Sequence, residues 1–468
     1  MLSLSYATAA AAMLAAASYL FFRVRLFVTT TTMLVGSLLL IYGPAYLSFM
    51  LSSGEPGALI NRLNGISGNP HPIFAIIKAK ISDFDAVVTA MNFSVALMFV
   101  GIIVGIELVD RLMPRRIFAL RAALTNWNSQ ALRDDVGGRR LLLIVILALA
   151  AFMLFVSVTE HHIATIRSFF SLPREDDNAT RNLFRLQYAS SPNYSYRLVL
   201  GAVAPMFIIW GLLSGWLSRS WPLLLAAALL WIATLIGKID ILSKAPPALF
   251  LIQLLVAGLL IFTNRITWLG ALVGSCVVAL ALYAVTRLIM SFPEGTAVLQ
   301  IVYSRVFEAE NQSLLENFAT FPFVHPHMGG ANIRPLAMLM GVPFIPGYSI
   351  VAHTWYGTFA VTSPSLFIAD AWADFSYPGV FAFSVLAGAV CRSIDATFLV
   401  HGKTVVSVAV LGAASIGVFT LLITALNTAF TSGGLVLAPV LAGLLVTAIR
   451  YFDNPNRSSC SLRAAQNE

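Results

Sequence analysis

Apolar residues in this chain come in long unbroken runs rather than in the alternating or sparse helical stripes of a water-soluble fold. Crossing a bilayer core takes roughly 20 consecutive apolar residues as a helix. Runs of that kind begin near residues 4, 27, 86, 141, 198, 222, 247, 267, 366, 404 and 434, which predicts about eleven transmembrane helices. The first run, Leu4 to Phe22, has no basic residue before it and Arg23 and Arg25 directly after it, so it reads as a retained span and not as a signal peptide. The expectation is an all-α, polytopic integral membrane protein with one membrane domain over residues 1–450. The polar segment 451–468, containing "NPNRSSCSLRAAQNE", is expected to be a disordered tail.

Composition agrees with that pattern. Hydrophobic residues make up 58% of the chain and charged ones 11%, against roughly 45–50% and 25% in soluble domains. Three cysteines, Cys276, Cys391 and Cys460, show neither metal-ligand spacing nor an even disulfide set. No internal repeat and no separate soluble domain is visible.

The net charge of +8 is informative through its distribution. With the N-terminus outside, sixteen of the 29 Lys and Arg residues fall inside, seven of them in the 111–140 stretch. Arg219, Arg265 and the "RSIDATFLVHGK" connection fall on the same side, as the positive-inside rule requires. This predicts a cytoplasmic loop at about 110–140, a cytoplasmic C-terminus, and two large periplasmic loops at about 159–195 and 291–365. The positive charge then belongs to membrane topology and not to nucleic-acid binding.

Thirteen basic residues remain outside, where topology gives them no purpose. Arg167, Arg174, Arg181 and Arg185 lie in the first large loop, Lys244 before the two prolines of "SKAPPALF", and Arg287, Arg305 and Arg334 around the second. A planar guanidinium holds a phosphate with two parallel hydrogen bonds, so this set suits a membrane-embedded anion such as a polyprenyl diphosphate. Arg174 has the neighbouring acids Glu160, Glu175, Asp176 and Asp177 as an alternative. Arg287, at the end of an apolar run, can instead reach back to the interface. Lys238 and Asp240 are expected to pair.

Two carboxylates stand out in "SLFIADAWADFSYPGVFAF". Asp370 and Asp374 are four residues apart, on one face of a helix entering the membrane, and like charges so placed repel unless something polar is held against them. Either can act as general base toward a sugar hydroxyl, and His353 in "SIVAHTWYGTF" competes for that role. No DxD motif, phosphate-binding glycine loop, GxSxG elbow or metal-ligand histidine pair is present, so no metal and no cofactor is expected.

Three of these segments resemble the bacterial oligosaccharide repeat-unit polymerases, the Wzy-type O-antigen polymerase family. "ILSKAPPALFLIQLL" is similar to the family's Ser-Lys segment leading into a span. "VYSRVFEAENQSLLENF" is similar to the arginine-bearing start of its large loop, and "SPSLFIADAWADFSYPGVFAF" to its re-entry segment. The family closes that last segment with Phe-Gly, where this chain has Phe375 and Ser376, with Gly379 three residues on. The resemblance implies a GT-C-like fold in the bacterial inner membrane and metal-independent, inverting glycosyl transfer on the periplasmic face. A growing glycan would move from undecaprenyl diphosphate to a lipid-linked repeat unit, with Arg305 on the diphosphate and Arg167, Arg181 and Arg185 in support. Membrane lipids, a chain-length regulator and a flippase are the implied partners. An O-antigen ligase of the same superfamily, or a transporter of lipid-linked oligosaccharide, are the competing readings.

Overall fold

The computed structural model describes residues 1–51, 73–134, 136–172, 193–242, 245–267, 309–357 and 365–453, with isolated positions between 184 and 284. Among the described residues the regular structure is helical, and β-type pairing is confined to two isolated bridges, Phe27 with Arg265 and Arg133 with Thr404. In chain order the helices are α1 (Leu2–Val24), α2 (Thr30–Leu51), α3 (Ile73–Lys80), α4 (Phe84–Leu112), α5 (Pro114–Thr125) and α6 (Arg139–Thr159). Then come α7 (His162–Phe170), α8 (Tyr194–Ser218), α9 (Trp221–Asp240), α10 (Ala245–Phe262), α11 (Ala309–Thr320) and α12 (Arg334–Met340). The last five are α13 (Gly347–Tyr356), α14 (Phe367–Phe398), α15 (Val405–Ile423), α16 (Leu426–Phe430) and α17 (Leu437–Asp453).

Seven of these, α1, α4, α6, α8, α9, α14 and α15, are long and apolar enough to cross a membrane. The chain is an all-helical, polytopic membrane protein. Shorter apolar stretches at Thr30–Gly43, Pro246–Phe262 and Leu437–Phe452 fall where the sequence places three further spans. The span expected near 267 and the tail from 454 onward lie largely or wholly outside the described residues.

The chain groups into two compact units. The first comprises Met1–Arg115, Arg265–Asp395 and Val418–Ala429; the second comprises Arg116–Asn264, Ala396–Gly417 and Phe430–Glu468.

In the first unit, charged residues tie together the ends of three spans. The Arg392 guanidinium forks onto Asp110, Nε to Oδ1 at 2.6 Å and an Nη to Oδ2 at 3.1 Å. Arg23 reaches Glu107 at 3.3 Å and Asp110 at 3.9 Å, and the Tyr19 hydroxyl donates to Glu107 at 2.7 Å. Because Arg23, Asp110 and Arg392 all lie toward the C-terminal ends of their helices, α1, α4 and α14 run parallel. Small residues let α4 and α14 touch backbone to backbone: a methyl group on Gly105 would collide with the Val385 carbonyl, and one on Gly388 with that of Ile102. Asp395 caps α2 from a distance. Its two oxygens accept the N–H groups of Thr30 and Thr31 at 2.9 and 3.1 Å and both hydroxyls at 2.7 and 2.5 Å, while the Thr29 hydroxyl takes the N–H of Thr32 at 3.1 Å. The first turn of α2 therefore enters the apolar phase with its amides satisfied.

The second unit is pinned by polar side chains that reach backbone carbonyls. Trp127 Nε1 donates to Leu260 O at 2.8 Å, Asn264 Nδ2 to Leu124 O at 2.5 Å, and Gln253 Nε2 to Ala413 O at 3.3 Å. The expected pairing of Lys238 with Asp240 is replaced by another. Asp240 faces the fully buried His162 at 3.4 Å, and the Lys238 ammonium lies 5.5 Å from the centre of the Phe250 ring. The reason is helical geometry: residues two apart point to different sides of α9.

Removing one member of a buried, hydrogen-bonded ion pair leaves the other charge uncompensated, a loss of about 3–5 kcal/mol. Asp110→Asn or Arg392→Gln should each lower the thermal midpoint of the protein in detergent by a corresponding amount. The double variant should recover part of the loss, which a double-mutant cycle read by thermal unfolding will measure.

Candidate functional site

The site grows from a break in α14. Ser376 has φ 56° and ψ −147°, and Pro378 follows two residues later inside the same helix. Proline has no N–H, so the carbonyl of Asp374 loses the donor that a regular helix would supply. A turn from an earlier part of the chain supplies donors instead. Gly329 N–H donates to Asp374 O at 3.1 Å and Met328 N–H to Ala373 O at 2.8 Å. Gly329 and Gly330 make that turn possible with φ of 60° and 103°, values that glycine adopts without a Cβ penalty.

The same turn receives the carboxylate of Asp374. Its Oδ1 accepts the N–H of Gly330 at 2.8 Å and of Asn332 at 3.3 Å, and the residue is only 2% exposed. Its Oδ2 is buried with no partner among the described residues. Asp370, one helical turn earlier, is turned to a different group, accepting from Asn332 Nδ2 at 2.5 Å. The two acids thus avoid each other by binding different atoms of one short loop. The Asn332 side-chain oxygen accepts the Gly347 N–H at 2.7 Å, so the residue that holds Asp370 also ties down the start of α13. Trp372, between the two acids, locks the helix rotation: its indole N–H donates to Phe321 O at 2.7 Å, and its ring stacks on Phe318 with centroids 4.5 Å apart.

Asp370 opens onto a cavity of about 210 Å³ within the first unit. Asn317, Asn332, Asn427, Ser365, Thr424 and Thr428 line it. The rings of Phe344 and Tyr348 complete the wall, and Asp370 is the one charged lining residue among those described. The Ser365 hydroxyl is buried with no hydrogen-bond partner among the described residues, although nearly every buried polar group in a folded protein has one. Residues of amide and hydroxyl type, one carboxylate and two aromatic residues form a lining suited to a polyhydroxylated ligand such as a sugar. Among the described residues no three His, Cys, Asp or Glu side chains stand together to hold a metal ion.

Of the described residues singled out by sequence, Asp370 lines this cavity; Arg334 is exposed, its guanidinium 5.7 Å from the centre of the ring of Phe344, a lining residue. Asp374 lies one layer behind, engaged with the backbone. His353 is an exposed residue of α13 and does not line the cavity. His327 packs edge-on against Trp372 at 5.4 Å. Arg167 is exposed on α7 in the second unit. Arg181, Arg185, Lys244, Arg287 and Arg305 lie outside the described residues.

Sequence reading missed the asparagines and the far wall. The polar letters of "TALNTAF", closing the apolar α15 run, were a usable signal for Thr424, Asn427 and Thr428. Glu316 was also overlooked: it is 1% exposed and accepts from the Tyr356 hydroxyl at 2.7 Å and from Gln312 at 2.9 Å, which joins α11 to α13 beside Asn317.

Asp374→Asn replaces an oxygen that accepts two amides, and depending on which way the amide turns leaves donors facing donors. It should cost about 1–3 kcal/mol of stability in thermal unfolding, whereas Asp370→Asn should be close to neutral. Ser376→Gly should raise stability by about 1 kcal/mol, because a left-handed conformation that strains serine is ordinary for glycine.

No protein-family model, curated protein or solved structure matches this chain.

Proposed function

We propose that the protein is a bacterial polysaccharide polymerase of the Wzy type, an inverting glycosyltransferase working at the periplasmic face of the inner membrane. The observation that carries this reading is the cavity itself: a carboxylate, three amides and three hydroxyls beside two aromatic rings, placed at the start of a membrane span. In this scheme a sugar of the lipid-linked acceptor repeat unit occupies the cavity. Its hydroxyl gives its proton to Asp370 as it attacks C1 of the growing glycan, and the C1–O bond to undecaprenyl diphosphate breaks. The departing diphosphate gathers negative charge, which Arg305, with Arg287 and Arg334 as further cations, neutralises without a metal. Asp374 serves as a positioning residue, because it holds the loop that holds Asp370. His353 remains the competing base on sequence grounds.

The parallel course of α1, α4 and α14 supports the alternation from which about eleven spans, a periplasmic N-terminus and a cytoplasmic C-terminus are inferred. The resemblance gains support at Ser376, where the family carries glycine and this chain holds a glycine-like backbone. An O-antigen ligase differs only in its acceptor. A transporter of lipid-linked oligosaccharide draws support from a separate observation, the buried His162–Asp240 pair and the buried Lys238, since ionisable groups at membrane depth often mark transport pathways.

In the producing strain, Asp370→Ala and Arg305→Ala should each leave single repeat units and no long chains on a surface-polysaccharide gel, with protein level and insertion unchanged. Arg305→Lys should fail as well, because an ammonium lacks the two-pronged geometry. Long chains from either alanine variant would remove that residue from the mechanism. A deletion strain with no repeat unit attached at all would point to ligase or flippase.

A further inference from the structure

The stretch Pro335–Tyr348 has no charged residue and belongs to none of the seven long spans, yet most of its large apolar side chains face outward. Met338 is 75% exposed and Leu339 83%, and Val342, Phe344 and Ile345 are exposed as well. Contiguous apolar exposure of this kind outside a span marks a surface that something apolar covers.

What covers it follows from where its two feet stand. One foot is Ala331–Asn332, whose Asn332 amide holds Asp370 in the first turn of α14, the point at which that helix enters its membrane-spanning course. The other is Ile345–Gly347: Ile345 N–H donates to Ala331 O at 3.1 Å and Gly347 N–H to the Asn332 side chain at 2.7 Å. The intervening residues form a closed loop fixed at the level where a span begins. Their apolar tips have a bilayer surface within reach. Arg334, the single charge of the loop, is exposed at its base over the Phe344 ring, the arrangement by which a cation meets lipid phosphate while its neighbours enter the acyl region.

We infer that residues 334–345 form a lip inserted into the phospholipid leaflet on the Asp370 side, with Met338 and Leu339 as its deepest points and Arg334 at the headgroups. The lip sets the cavity mouth at the lipid surface, because Phe344 and Tyr348 belong both to the exposed apolar stretch and to the cavity wall. A substrate carried on a lipid then reaches the cavity without leaving the bilayer. Insertion of the lip is argued from the membrane spans, the exposed apolar stretch and Arg334, and stands whatever reaction the cavity supports; only the lipid-carried substrate rests on the proposed function.

The test is electron paramagnetic resonance on the full-length protein in phospholipid nanodiscs, spin-labelled at Leu339→Cys or, for reference, at His353→Cys, with Cys276 and Cys460 replaced by serine. Both labelled positions are exposed, so neither label should disturb the fold, which the elution profile in size-exclusion chromatography will verify. The label at 339 should collide with oxygen several-fold more readily, relative to a water-soluble nickel chelate, than the label at 353. Equal access of the chelate to both positions would overturn the inference. Protection of 339 from oxygen and chelate alike would overturn it too, since another protein surface would then cover the lip.

Discussion

A helix that breaks as it enters a membrane leaves carbonyls without donors, and in α14 the Asp374 carbonyl loses its helical partner to Pro378. The turn around Gly329 and Gly330 answers that need, and most of the site follows from the answer. Once Met328 and Gly329 are tied to α14, the amides of Gly330 and Asn332 come within reach of the Asp374 carboxylate, and the Asn332 side chain within reach of Asp370. The cavity wall and the apolar lip are both anchored through Asn332. Backbone accounting, rather than attraction between charges, places the acids.

The rest of the first unit obeys the same economy of polar groups. Three carboxylates of its spans are matched: Asp110 by Arg392, Glu107 by Tyr19 and Arg23, Asp395 by two threonines and two amides. Away from these ends, glycines at 105 and 388 let the α4 and α14 backbones approach closely, and Asn92 of α4 donates to the buried Ser5 hydroxyl of α1 at 3.0 Å. Polar pairing fixes which helices meet and in what register; small residues fix how closely.

Much of the fold was legible in the chain. Unbroken apolar runs located seven helices long and apolar enough to cross a membrane, because length and hydropathy are local properties, and the spacing of Asp370 and Asp374 rightly placed them on one helical face. Their partners were not legible, since Asn332 lies 38 and 42 residues away and the pairing depends on a break at a serine, where a reader looks for glycine. The division of labour between the acids, one facing the cavity and one buried in backbone, is a tertiary fact. The pairing expected for Lys238 and Asp240 failed for a related reason: proximity in sequence is not proximity on a helix, and His162 comes to Asp240 from another element. The lip was hidden by its setting, because an apolar stretch too short to span reads as ordinary loop until its exposure is known.

The cap on α2 has a consequence for how the protein is made. Thr30 and Thr31 leave the ribosome some 365 residues before Asp395, which later accepts their amides. During that interval the N–H groups of Thr30 and Thr31 lack their native acceptor and must stay hydrated or be sheltered within the insertion machinery. Final seating of α2 is thus coupled to arrival of α14, so the early part of the chain is completed only after most of the protein has been translated.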